Sequence, residues 1–311
     1  MKKFLSVFLT VCFLVFTFCG CSQQKVNQKI TIVATVFPPF DFARSIAGEK
    51  ADVLKLVPEG SESHSFEPTP NQIKTVEDCD LFLCIGGQGE NWAERITENK
   101  KYGKTLKLIE NVQLLEAHST EEHDHNNNED AHHHEHDEHI WTSPNNALEM
   151  SRAILTALCE IDSQNSEYYK TNFEELKAQL EELDKDFKSI DFDTPLFFGD
   201  RFPFLYLAKE YSFEYFAAFP GCEEQTEPDI KTLAHLIEEV KEQNAKYIYY
   251  TEFSNKKIAL MLCEETKAQP LLLHSCHNIT KEEMKNGETY ISIMKRNLEN
   301  IKKSQMSNGE F

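Results

Sequence analysis

The 311-residue chain is poor in positive charge: 32 Lys and Arg stand against 52 Asp and Glu, a formal net charge of −20. Binding a phosphate backbone needs clustered cations, so nucleic-acid partners are excluded. Glycine is scarce at 11 residues, which rules out a collagen-type repeat. No His-Glu-x-x-His helix motif, nucleophile elbow or phosphate-binding glycine loop occurs, so common sequence marks of hydrolases and nucleotide enzymes are missing. What is present is 40% hydrophobic residues with 22 Phe, enough for real cores. The length suits about two domains at ~100–200 residues each.

The N-terminus sets the compartment. Lys2 and Lys3 precede an uncharged apolar stretch, Phe4–Gly20, followed by Cys21-Ser22 and the polar run Gln23–Lys29. A basic start, an apolar run and a small residue before the break spell a secretory signal over residues 1–20. The run is shorter than the ~20 residues of a spanning helix. A break between Gly20 and Cys21 resembles the lipobox of bacterial lipoproteins, which implies lipidation of Cys21 and a tether over 21–29. Six cysteines then remain. Cys84 lies in an apolar run and Cys159 and Cys263 on helical stretches, as buried thiols do. Cys222 and Cys276 fall in loops and are the candidate disulfide for an oxidising compartment; alternatively Cys276 ligates a metal between His274 and His277.

Past residue 30, short β-branched or apolar runs alternate with amphipathic ones. Ile30–Val36, Asp52–Val57, Leu81–Ile85 and Thr105–Ile109 read as strands, with helices at Phe40–Ala47, Asn71–Glu77 and Asn91–Thr97. A second set has strands at Leu196–Phe198, Tyr215–Phe219, Lys246–Tyr250 and Leu271–Leu273. Its helices fall at Phe204–Tyr211, Asp229–Gln243, Asn255–Thr266 and Thr289–Ile301. Such alternation predicts parallel sheets covered by helices, hence two α/β lobes over 30–142 and 194–311. Between them, 143–193 is helical. Ser143-Pro144 is a cap and first-turn pair. Tyr169, Phe173, Leu176, Leu180, Leu183, Phe187 and Ile190 then recur at alternating spacings of four and three, one apolar stripe on a long helix. A stripe of this kind can form a coiled-coil dimer; flanked by two lobes and rich in aromatics, it reads instead as a rigid connector within a monomer.

One segment stands apart. His118–His139 holds eight of the twelve histidines and eight acids with no Lys or Arg, so it cannot form a core. His118, His123, His125, His132, His133, His134 and His136 make the loop over 118–138 a weak, many-armed chelator of divalent metal. His132-His133-His134-Glu135-His136 formally matches H-x-x-E-H, but that zinc-protease motif works only on a helix.

Four further residues fall where strand ends meet the gap between lobes: His64, His139, Asp200 and His274. In open α/β sheets ligands bind outside the carboxyl ends of the strands. Three imidazoles and a carboxylate make a four-coordinate Zn²⁺ site, and a filled shell leaves no open position for catalysis.

These residues sit in motifs that resemble a known family over essentially the whole mature chain. The motifs are Thr35-Val36-Phe37-Pro38-Pro39, Pro58-Glu59-Gly60 leading to His64, Glu67-Pro68-Thr69-Pro70, His139-Ile140-Trp141, Thr251-Glu252-Phe253-Ser254, and Tyr290–Leu298 with Met294 and Asn297. Together they are similar to the metal-binding lipoproteins of bacterial ABC transporters, the ZnuA/TroA-like solute-binding family. The resemblance implies two α/β lobes joined by a long helix, with metal in the cleft. His64 and His139 match the first two ligands. At the third position, usually His or Glu, stands Asp200; at the fourth, usually Asp, stands His274, with His277 as substitute. The implied activity is not enzymatic: an extracytoplasmic, lipid-anchored receptor passes Zn²⁺ to a permease driven by an ATPase. A receptor for Mn²⁺ or Fe²⁺ is the alternative, and a zinc hydrolase or a surface adhesin are the readings from other classes.

Overall fold

The computed structural model describes residues 29–61, 66–98, 100–117, 136–219 and 228–306. The signal, Cys21, His64, six loop histidines (His118, His123, His125, His132, His133 and His134) and Cys222 lie outside the described residues.

The first sheet contains β1 (Ile30–Ala34), β2 (Ala51–Lys55), β3 (Leu81–Cys84) and β4 (Lys104–Lys107) in the order β2-β1-β3-β4, every pair parallel. Its crossovers carry α1 (Phe37–Ala47), α2 (Pro70–Asp78) and α3 (Asn91–Thr97). Then come α4 (Pro144–Ile161) and the connector α5 (Ser166–Lys188). The second sheet repeats the plan. Strands β5 (Leu196–Arg201), β6 (Tyr215–Phe219), β7 (Tyr247–Tyr250) and β8 (Gln269–Leu272) lie in the order β6-β5-β7-β8, again all parallel. Its helices are α6 (Leu205–Tyr211), α7 (Ile230–Glu242), α8 (Lys257–Thr266), α9 (Lys281–Lys285) and α10 (Tyr290–Gln305). The expected two-sheet α/β architecture is present.

Parallel strands buried on both faces explain the unbroken apolar runs: Leu81, Phe82, Leu83 and Cys84 are all buried. Gly199 in β5 is required by close packing, because a Cβ there would lie 2.4 Å from the Ala259 Cα of α8. On α5, about 34 Å long at 1.5 Å per residue, the stripe Tyr169, Phe173, Leu176, Leu180, Leu183 and Phe187 is no more than 5% exposed. Each such side chain contributes ~1.5–3 kcal/mol on burial. That face packs on α4, on α1 of the first lobe and on α10 of the second, within one continuous core. The connector is thus intramolecular.

Hydrogen bonds tie the lobes as well. Asp41 on α1, 1% exposed, accepts from the Tyr290 amide at the start of α10 (2.7 Å) and from Arg44 Nε (2.6 Å). The Tyr290 hydroxyl donates to the Trp141 carbonyl (2.6 Å), and Trp141 Nε1 donates to the Ser275 carbonyl (2.8 Å).

Candidate metal centre

His139 sits on the short turn before α4 and is 3% exposed. Asp137 fixes its ring. Asp137 Oδ1 accepts the His139 backbone N–H at 2.8 Å and lies 3.1 Å from His139 Nδ1. With Nδ1 carrying the proton toward that carboxylate, Nε2 keeps its lone pair for a metal, the usual carboxylate–histidine–metal arrangement. Asp137 is itself anchored: its amide donates to the Leu115 carbonyl (3.0 Å), and its carbonyl accepts from the Tyr206 hydroxyl (2.8 Å). An antiparallel bridge between Glu116 and exposed His136 joins the two ends of the histidine-rich segment.

The second imidazole at this place is His277, not His274. The His277 ring lies 5.4 Å from that of His139, perpendicular to it, and 4.9 Å from the Trp141 ring. His277 also lines a cavity with Glu90, Glu138, Trp92 and Trp141 over Val36, Val57 and Ile85. Glu90 is 6% exposed; Oε2 accepts the Ile85 and Gly86 amides at 2.7 and 3.1 Å, while Oε1 has no partner. Burial pushes its pKa up to about 7, with Glu138 acting in the same sense. Glu138 Oε1 accepts the Gly89 amide at 2.6 Å.

His274 serves the loop from beneath. It is 2% exposed, and Asn297 pins its backbone: the His274 amide donates to Oδ1 (2.8 Å) and Nδ2 donates to the His274 carbonyl (2.7 Å). Its Nδ1 accepts the Cys276 amide at 2.9 Å, so the proton belongs on Nε2. Glu252 and Glu283 carboxylates lie 3.5 Å from Nδ1 and Nε2 respectively. Burial alone would lower its pKa, but the two carboxylates prevail and raise it; His274 in turn holds Glu283 down at about 2. A left-handed turn at Cys276 (φ 61°) separates His274 from His277. This turn sends the two rings to different surroundings, His277 beside His139 and His274 between Glu252 and Glu283.

Asp200 is half-buried at the end of β5. Its Oδ2 accepts the Thr251 amide (3.0 Å) and hydroxyl (2.7 Å), and Oδ1 accepts the Arg201 amide (2.9 Å). Cys276 is a free, fully buried thiol whose pKa burial pushes well up. The expected bridge to Cys222 falls outside the described residues, and within them the loop is held by the His274 and Asn297 hydrogen bonds. Among the described residues, no three His, Cys, Asp or Glu side chains already stand in metal-holding array. Sequence reasoning missed the orienting role of Asp137 and the buried Glu90. Only the first left a signal, an acid two residues before the candidate ligand.

The family described as zinc-uptake complex component A, periplasmic, matches residues 32–304. The high-affinity zinc uptake system protein ZnuA of Bacillus subtilis is 33% identical over 97% of this chain and 98% of its own length. The zinc-binding lipoprotein AdcA of Streptococcus pneumoniae is 31% identical over 99% of this chain, which spans 62% of that longer protein. Among solved structures, the metal-dependent lipoprotein YcdH of Bacillus subtilis superposes with a TM-score of 0.74 at 30% identity, covering 89% of this chain and all of that one. The Zn(II)-bound ZnuA-like domain of Streptococcus pneumoniae AdcA gives 0.73 at 27% identity, covering 89% and 99%. With a match running through both lobes and the segment that carries His139 and His277, the chain belongs to the ZnuA family of zinc-uptake components.

Proposed function

We propose that the protein is an extracytoplasmic zinc receptor that captures one Zn²⁺ between its lobes and delivers it to an ABC permease and its ATPase. The observation that carries the reading is the meeting of His139 and His277, one from each side of the cleft, with Asp137 orienting His139. His64 is the third imidazole in this proposal: the Gly60 amide donates to the Ile279 carbonyl (2.9 Å), which brings the chain leading to His64 beside the His277 loop. Asp200 supplies an oxygen, since Oδ1 accepts only one of the hydrogen bonds it can take. Three imidazoles and one carboxylate favour Zn²⁺; an oxygen-richer set would favour Mn²⁺. Lipidation of Cys21 would hold the receptor at the membrane, and residues 118–135 would gather metal loosely.

Metal content after purification without added metal, followed by competition against a chromophoric chelator, tests the ligand set. His139→Ala and His277→Ala are expected to lose the single tight zinc while His274→Gln keeps it. Tight zinc retained by the His139→Ala, His277→Ala double variant would overturn the assignment.

A further inference from the structure

A further polar tie between the lobes comes from a side chain that no part of the proposed metal site uses. Asn278 follows His277 directly and is 1% exposed. Its Nδ2 donates across the cleft to two carbonyls of the first lobe, Pro58 (2.7 Å) and Ser61 (2.9 Å). Its Oδ1 accepts from Lys55 Nζ at 2.9 Å. Lys55, at the end of β2, has a side chain only 3% exposed; its ammonium also donates to the Val57 carbonyl and lies 3.6 Å from Glu59. Two backbone bonds run alongside, Gly60 N–H to the Ile279 carbonyl (2.9 Å) and Phe37 N–H to the His277 carbonyl (3.2 Å). The tie thus joins the residue after His277 to a segment ending three residues before His64.

A buried lysine is costly unless its donors are met, and an interior asparagine is costly unless its amide is satisfied. Here each satisfies the other, and both are satisfied only while the two loops keep this register. An apolar contact at the same place would hold the lobes together without fixing how the loops line up. We infer that Asn278 and Lys55 form a positioning clasp, resting on the proposed zinc site, that holds the Pro58–Ser61 segment leading to His64 in register with the His277 loop before metal arrives. Without it the chain must select the aligned arrangement at the moment of binding, and apparent affinity falls by the fraction aligned.

The test uses the full chain with Asn278→Ala, Lys55→Met and both together. Each single variant is expected to weaken zinc binding about tenfold, at the low end for residues that support metal ligands indirectly, and to speed release to a chelator. The double variant should bind no worse than the weaker single one, because either change opens the same clasp. In the zinc-free chain, hydrogen exchange at the Gly60 amide should rise in every variant while α5 stays protected. Wild-type affinity and release rate in folded Asn278→Ala, or additive losses in the double variant, would overturn the clasp. If the wild-type chain itself holds no tight zinc, the site assignment fails; Gly60 exchange then decides the clasp alone, and an unchanged rate refutes it.

Discussion

Glu90→Gln offers a quantitative check on the electrostatics beside the cleft. In the folded chain the Glu90 carboxyl is buried, one oxygen takes two amides and the other takes none, and its pKa rises from the ordinary 4.5 to about 7. The folded state therefore favours the protonated form. Its stabilising effect is complete below about pH 4.5 and is lost as pH rises through about 7, where the native chain must carry a buried charge. A difference of about 2.5 pKa units corresponds to ~3 kcal/mol in total, of which ~2.5 kcal/mol falls between pH 5 and pH 8. Gln keeps an acceptor for the Ile85 and Gly86 amides and has no proton to lose. Urea unfolding of chelator-treated protein at these two pH values should show the stability difference, variant minus wild type, growing by ~2–3 kcal/mol at the higher pH. Comparing the two chains cancels the titrating groups that do not interact with Glu90. A difference that stays constant between the two pH values would refute the assignment of a buried, protonated Glu90.

Asp137→Asn should leave the fold intact and weaken zinc binding by about tenfold, because the amide replaces a charge-assisted partner of His139 with a neutral one; chelator competition gives the number, and unchanged affinity would remove Asp137 from the site. Deleting residues 118–135 should abolish weak additional zinc equivalents while leaving one tight site, since many imidazoles and carboxylates that can hold an ion in many arrangements bind it loosely. Calorimetry in which the deletion loses the tightest equivalent would reverse that ranking.

Much of the architecture was legible because burial imposes periodicity. The α5 stripe and the four-residue runs of β3 and β7 could be read straight from spacing. The misplacements have local causes. Helix α1 begins at Phe37 rather than Phe40 because Pro38 and Pro39 occupy its first turn, where a missing N–H does no harm. Strand β8 begins at Gln269, two residues early, because it is an edge strand and tolerates Pro270. Helix α9 went unread although Thr280 and Glu283 form a complete capping box, a signal present in the sequence and overlooked for want of length. At the candidate site His139 was legible from its motif. Which of the His274 and His277 rings stands beside His139 was not, because that placement turns on one positive φ at a non-glycine residue.

That turn also shows how the loop is built for its task. Left-handed backbone at a cysteine costs free energy, and several bonds hold it in place. His274 Nδ1 accepts the Cys276 amide, Ser275 Oγ accepts the His277 amide, and Glu252 accepts both the Ser275 amide and its hydroxyl. Trp141 from the first lobe closes the set by donating to the Ser275 carbonyl. A buried imidazole between two carboxylates thus supports the loop on which the half-buried one is presented. The same loop is tied to the first lobe through Phe37 and Asn278. A receptor in which folding has already fixed this loop against the opposite lobe spends little ordering entropy when the ion binds. Under the proposed function, selectivity would rest on which ion suits imidazoles held at that spacing, and release would fall to whatever disturbs the loop.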